Sequence, residues 1–485
     1  MIPTAQFVDG DGFQSQSDAF VQWLVQRPGV RLNPKIRVVD LRFRDAGRGV
    51  VAQTDILEGE ELFSIPRDLI LTMQNSNLRN LIGQDLDQLG PWFSLIVVMI
   101  YEYLLGEKSA WAPYFQVLPT TFDTPMFWSD SELIELQGSA VVGKIGKQGA
   151  EESILEMVAP VVRGNPTLFP PPASLGSFDG PAGTAALLHI AHVMGSLIMA
   201  YAFDIEKPED EEGDEGDGED GYMTDEEEEQ LPKGMVPLAD LLNANADQNN
   251  ARLFQEDDFL VMKAIKLIRA GDEIFNDYGE IPRSDLLRRY GYVTDNYSPF
   301  DVVEISLDAI CEAAGLQNAD TVSQSALQFL EDLELLDDGY AIARPSSGDS
   351  LEDIIPAELV ILLKTLSLSP EQLQQQRSKN KPPKPSFGPQ EVAILQKAIL
   401  IQQTKYSTSL FQDQELLAQL NQLSASAPLD IPTRRRRMAI QVRIGEKEIL
   451  QELSARLHLT NRDSSLKRSA DGDHHDSRHT KTQRT

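Results

Sequence analysis

The sequence predicts an α+β protein in two parts: a first stretch of about 300 residues mixing short strands with inserted helices, then a helical last third. Three observations carry this reading. Short runs such as "IRVVDLRF" at 36–43 and "GVVAQTDILEGEELFSIP" at 49–66 alternate and are broken by Gly and Pro, as strands are. Apolar runs at 91–105 and 183–204 are too long for strands and read as buried helices. Beyond residue 301, Leu and Ile recur at spacings of three and four, the helical period.

Taken in order, the stretch 49–66 reads as two strands around Glu58-Gly59. Pro91 suits the first turn of its helix, where its missing N–H costs nothing. In "FWSDSELIELQG", Ser129 or Asp130 is a candidate N-cap and Gly138 a stop. After residue 230 the segment "GMVPLADLLNANADQNNARLFQEDDFLVMKAI" runs from a helical turn through an Asn-rich loop to a hairpin across Asp257-Asp258. "PRSDLLRRYG" is a compact helix from Pro282 to Gly291. Further helices are expected at 320–336, 355–368, 389–421 and 432–457, with a Pro-rich linker at 377–389. The polar tail, 461–485, is expected to be disordered.

Composition bounds the function. The formal charge is −32, and residues 206–230 alone hold 15 acidic residues against one Lys. That loop cannot bury enough apolar surface to order itself. So acidic a surface repels phosphate backbones, which argues against nucleic acid as a partner, and it attracts basic proteins. No run of 18 apolar residues is present, so no membrane span is expected, and the N-terminus lacks the basic and apolar regions of a secretory signal. The single cysteine, Cys311, excludes an intrachain disulfide framework and a multi-cysteine zinc site. A reducing compartment is expected, the nucleus or alternatively the cytoplasm. The basic run "RRRR" at 434–437 reads either as a nuclear signal or as the solvated face of a helix.

No P-loop, dinucleotide fingerprint, HExxH or GxSxG is present. His189 and His192 lie three apart in an apolar helix, but no third ligand is evident, so no metal is expected. What stands out is "EIFNDYGEIPRSDLLRRYGYV", 273–293, in which Tyr278-Gly279 and Tyr290-Gly291 flank a short helix. Phenol groups on glycine turns can orient an amine and line a channel with aromatic faces.

At this point the sequence resembles a family. "GMVPLADLLNANAD", "AGDEIFNDYG" and "LLRRYGYV", in that order, resemble the C-terminal half of a SET domain, and "DAGRGVVAQTDILEGEELFSIP" its N-terminal half. The intervening "GPWFSLIVVMIYEY", "WAPYFQVLP" and "PMFWSDSELIELQG" are similar to the Rubisco large-subunit methyltransferase class. Within it the chain looks like the branch of fungal ribosomal lysine methyltransferase 4 and the animal SET-domain-6 proteins. "HIAHVMGSLIMAYAF" and "MAIQVRIGEKEIL" fit that branch too. The resemblance implies a SET domain over 18–300 with a helical insertion at about 71–205, then a helical substrate-binding domain over 301–460.

It also implies transfer of a methyl group from S-adenosyl-L-methionine to a protein lysine, leaving S-adenosyl-L-homocysteine. Such chemistry needs a neutral amine. With a free lysine pKa near 10.4, only about one molecule in 10³ is neutral at pH 7, so a dry channel beside a cation must lower that pKa. Carried over by position, Tyr278 is the catalytic tyrosine. Ala46, Gly47, Arg48, Tyr201, Asn243, Ala244 and Tyr290 fall at cofactor positions, and Trp92 and Asp240 at substrate positions. Ala244 departs from the family's Asn-His pair, leaving only its backbone to act. Tyr201 stands where plant relatives have arginine. Trp92 is read equally as helix core, and Asp240 as a cap for the following loop. A monomer acting on a basic, lysine-bearing ribosomal protein of the large subunit is expected. A histidine acceptor, or a non-catalytic chaperone for basic ribosomal proteins, is the alternative.

Overall fold

The alternation of 251–264 becomes a hairpin: Ala251–Gln255 pairs antiparallel with Phe259–Ala264 across the Asp257-Asp258 turn. The computed structural model that shows this describes residues 11–44, 46–206, 231–316 and 321–472, the backbone alone at 321–323 and 460–472. All of the predicted acidic loop but Glu206, and the predicted tail beyond Gly472, lie outside the described residues. Two compact units emerge, one of residues 1–126 and 146–280, the other of 127–145 and 281–485.

In the first unit the hairpin extends to a four-stranded antiparallel sheet through Glu61–Pro66 and Arg31–Leu32. A second sheet joins Ile36–Asp40, Arg48–Ala52 and Glu273–Ile274. The helices Gly90–Leu105 and Gly180–Tyr201 cover one shared core with these strands. Gly180–Tyr201 is long and apolar enough to cross a membrane by length and composition, yet Leu187, Ala191, Met194 and Leu197 are buried in that core. His192 Nε2 lies 3.5 Å from Glu151 Oε1, and among the described residues no three candidate ligands gather around it.

The second unit is mainly helical, as its periodicity implies, but it also holds a two-stranded antiparallel sheet, Val302–Ser306 with Gly339–Ala343. The expected helix 389–421 is two helices, Pro389–Thr404 and Leu410–Ser426. Ser409 caps the second, accepting the Gln412 N–H at 3.2 Å. The last helix runs Ile431–Gly472, so the first residues of the expected disordered tail continue it. Ser129 is the N-cap of Asp130–Leu133, with Glu132 reaching back to its N–H at 2.8 Å. The arginine run is engaged within the unit: Arg435 pairs with Glu132 at 3.1 Å, Arg436 with Glu135 at 3.1 Å, and Arg437 donates to Ser424.

Residues 127–145 join this unit through buried groups. Trp128, Leu136 and Val141 share a cluster with Leu287, Val293, Met438 and Val442. Glu446 accepts hydrogen bonds from Ser139 (2.5 Å) and Tyr406 (2.8 Å), and burial pushes its carboxyl up to about 7. A carboxyl raised on folding binds a proton that the unfolded chain has lost. Stability from this group is therefore greatest below its unfolded pKa and drains away as pH rises toward 7. Glu446→Gln imitates the protonated acid. In thermal melts its stability relative to wild type should improve steadily from pH about 5 to about 7, and a constant offset would refute the assignment.

Candidate functional site

The Asn-rich segment is a loop because its side chains take up backbone groups that a strand would need. The Asn243 Nδ2 group donates to the Arg48 carbonyl at 3.1 Å and to Glu273 Oε1 at 2.7 Å. Asn250 donates to the Glu273 carbonyl at 2.9 Å and accepts the Phe275 N–H at 2.8 Å. Asn249 donates to Asp277 Oδ2 at 2.9 Å. Between these anchors Ala244 pairs in parallel with Asn276, and the Asn276 N–H donates to the Asn243 carbonyl at 2.9 Å. Segment 243–250 is thus stitched along 273–277.

Tyr278 follows this stitching directly and is half-buried. Asp277, held by Asn249, accepts the Gly279 N–H at 2.8 Å, and Gly279 takes the left-handed φ of 80° that lets the chain turn beside the tyrosine. The carboxyl of Glu273 is pushed upward by burial, against the pull of the Asn243 amide.

Arg48 serves two sides. Its carbonyl receives Asn243, while its guanidinium donates to Ser17 (2.9 Å), Gln16 (3.1 Å) and the carbonyls of Phe13 (3.3 Å) and Val117 (3.0 Å). It also stacks 3.7 Å from the Phe13 ring centroid. The side chain thereby clamps the helix Phe13–Val25 against the turn containing Ala46 and Gly47. Gly47 has φ 62°, and open space lies where a Cβ would stand.

Asp240 is buried in the short turn Ala239–Leu241. Its Oδ2 accepts the hydroxyl of Tyr114, and burial pushes its carboxyl up to about 7. Tyr201 ends the helix Gly180–Tyr201, and burial, then the Asp240 charge, hold the Tyr114 hydroxyl well above its ordinary range. Leu238, two residues before Asp240, has φ 80°, a conformation costing a branched residue roughly 1–2 kcal/mol. Trp92 is half-buried against the core, beside Gly195 of the helix Gly180–Tyr201, which favours its reading as helix packing.

The first unit therefore brings Gly47, Arg48, Asn243, Ala244 and the Tyr278 turn into one chain of contacts, and bonds Asp240 to Tyr114. Tyr290 belongs to the second unit. It ends the helix Arg283–Tyr290, meets Tyr292 edge-on at 6.4 Å, and its hydroxyl is pushed upward by burial. Sequence reasoning missed Glu273 and Tyr114. An acid within the strand-like "DEIF" was a usable signal for the first; the second lies in the quoted "WAPYFQVLP", whose pattern does not reveal its partner Asp240.

The SET domain family matches residues 47–279, and the Rubisco LSMT substrate-binding family matches 317–450. The chain is 30% identical to the N-lysine methyltransferase SETD6 of Homo sapiens over 439 residues, covering 84% of each chain. It belongs to the SET-domain protein-lysine N-methyltransferases. It is also 36% identical to ribosomal lysine N-methyltransferase 4 of Saccharomyces cerevisiae, a match that covers 62% of this chain and 60% of the yeast protein. A solved structure of the SET domain of LSMT bound to lysine and AdoHcy shares the fold at TM-score 0.66 and 20% identity, over 92% of both chains.

Within this SET domain the residues present suit a nucleoside-bearing donor. Gly47 leaves room against its backbone, and Ala244, though no histidine, keeps its main chain paired beside Asn243. Gly49 stands on the crowded side of the same turn. A Cβ there would lie 2.5 Å from Leu41 Cδ1, 2.8 Å from Glu273 Oε1 and 3.0 Å from Asn243 Nδ2. Gly49→Ala should therefore part the Asn243–Glu273 pair and weaken S-adenosyl-L-homocysteine binding by about tenfold or more, read by calorimetry. Unchanged affinity would remove the pair from the donor site.

Proposed function

We propose that the chain transfers one methyl group from S-adenosyl-L-methionine to the side chain of a lysine in a large-subunit ribosomal protein. The observation that carries this reading is the stitched crossing of 243–250 with 273–277, which ends on Tyr278. The name of the yeast relative supports the ribosomal acceptor, and the net charge of −32 suits a lysine-rich partner.

The donor supplies a methyl carbon on a cationic sulfur. The rest falls to the protein: it must hold an amine in line, strip its water and favour its neutral form. Tyr278 is the group proposed to orient that amine, on a turn fixed by Asp277 and Gly279. Asn243 and the Gly47 turn hold the donor, and Arg48 fixes both to the helix Phe13–Val25. The chain acts as a monomer and needs no metal for this step.

The test is incubation of the protein and isotopically labelled donor with a lysate of cells lacking it, followed by mass spectrometry. A single methyl on a lysine of a large-subunit ribosomal protein is expected. Label on histidine would overturn the acceptor assignment, and label on a non-ribosomal protein the substrate class.

A further inference from the structure

Tyr114 lies in the stretch "WAPYFQVLP" but is assigned no role there; it is completely buried, and its hydroxyl is spent on Asp240. It sits in the helix Ala112–Phe115, and its ring stacks on Phe20 at 5.9 Å. Phe20 lies in the helix Phe13–Val25, the same helix that Arg48 clamps. Asp240 lies three residues before Asn243, and the left-handed Leu238 lies two residues before Asp240.

We propose that Tyr114 is a positioning residue of the donor site, acting through Asp240 to set the turn that delivers Asn243 to Arg48. This inference rests on the reading of Asn243 and the Gly47 turn as the donor site. A left-handed, branched residue persists only where the chain on both sides is held. On one side of Asn243 the hold is its own amide, bonded to the Arg48 carbonyl and Glu273. On the other it is the Asp240 carboxyl, bonded to Tyr114. Without the phenol hydroxyl the carboxyl loses this donor, the Leu238 backbone can relax, and Asn243 shifts from the Arg48 carbonyl. Tyr114 would thus control donor affinity without touching the donor.

The pair has a signature that simple packing lacks. Among the described residues, the titratable side chain that acts on the Asp240 carboxyl is Tyr114. Burial drives the carboxyl toward its neutral form, and the Tyr114 hydroxyl opposes this. The phenol holds the ionised carboxylate more strongly than the neutral acid, so donor affinity should rise with pH around neutrality. Removing the hydroxyl should move that rise to higher pH.

The experiment is calorimetric titration of S-adenosyl-L-homocysteine into the full chain, at pH values roughly one unit below and above 7. Wild type is expected to bind more tightly at the higher pH. Tyr114→Phe should bind about tenfold more weakly at pH about 7 and recover part of the loss as pH rises. Asp240→Asn, whatever its absolute affinity, should show no change over the same range. In the Asp240→Asn background, Tyr114→Phe should add little. Wild-type affinity in Tyr114→Phe, or equal losses in both backgrounds, would overturn the inference while leaving the donor site intact. Absence of binding by wild type would overturn the donor-site reading itself. Should Tyr114→Phe fail to fold, the Asp240→Asn profile decides: persistent pH dependence sinks the proposal.

Discussion

Replacing Tyr278 with Phe should lower methyl transfer by about 100-fold or more while leaving S-adenosyl-L-homocysteine affinity within about twofold. The turn that presents Tyr278 is built by its neighbours. Asp277 is held by Asn249 at 2.9 Å, and it fixes the Gly279 N–H at 2.8 Å. Neither bond involves the phenol hydroxyl, so the Tyr278→Phe variant should keep the ring in place. What disappears is the hydroxyl proposed to orient the amine. Loss of an interaction made mainly in the transition state lowers kcat and kcat/KM together. Parallel measurement of turnover on the labelled substrate and of calorimetric binding decides the matter. Wild-type turnover would remove Tyr278 from the chemistry, and lost binding would move it to the donor pocket.

The largest stability loss is expected in the second unit, from Asp413→Ala. Asp413 is fully buried and accepts from Arg443 at 2.8 Å, Lys447 at 2.5 Å and Thr408 at 2.8 Å. Burial opposes its charge, but these donors outweigh it and hold the carboxyl below its usual range. Burial likewise pushes Lys447 down, and Asp413 pulls it back. Removing the carboxylate strands two cations whose side chains are only 3% and 5% exposed. Breaking such a buried pair costs about 3–5 kcal/mol, because the abandoned charge has no water. Arg443 keeps Glu135, and Lys447 keeps the Thr408 carbonyl, so the lower half of that range is expected. Urea unfolding of the isolated variant measures it. A loss below about 1 kcal/mol would mean that water reaches the cluster.

Much of the first unit was legible because its signals are local. The hairpin at 251–264 follows from alternation around Asp257-Asp258, and in the second unit the helix Arg283–Tyr290 follows likewise from Pro282 and Gly291. The site motifs were legible for the same reason: Asn, Gly and Tyr in short order require turns. What stayed hidden depends on distant partners. The break between Thr404 and Leu410 is marked by the short run Ser407-Thr408-Ser409, and Tyr406 there is drawn inward to Glu446. The strand Val302–Ser306 finds its partner only at Gly339–Ala343, beyond two intervening helices. Tyr114 meets Asp240 across 126 positions, and no periodicity of either neighbourhood reports that meeting. Arg48 looked like a turn residue, yet its side chain works mainly on the helix Phe13–Val25.

The membership of residues 127–145 in the second unit governs how the protein can be made. Their apolar side chains, Trp128, Leu136 and Val141, are covered by Leu287 and Val293 and then by Met438 and Val442, which a ribosome adds roughly 300 residues later. During most of synthesis this stretch waits uncovered, an adhesive surface for chaperones or for another nascent copy. A fragment stopped near residue 300 keeps every motif of the proposed donor site but loses Met438 and Val442 from that surface, and should precipitate. A chimera of two relatives should therefore take residues 127–145 and the helix Ile431–Gly472 from the same parent.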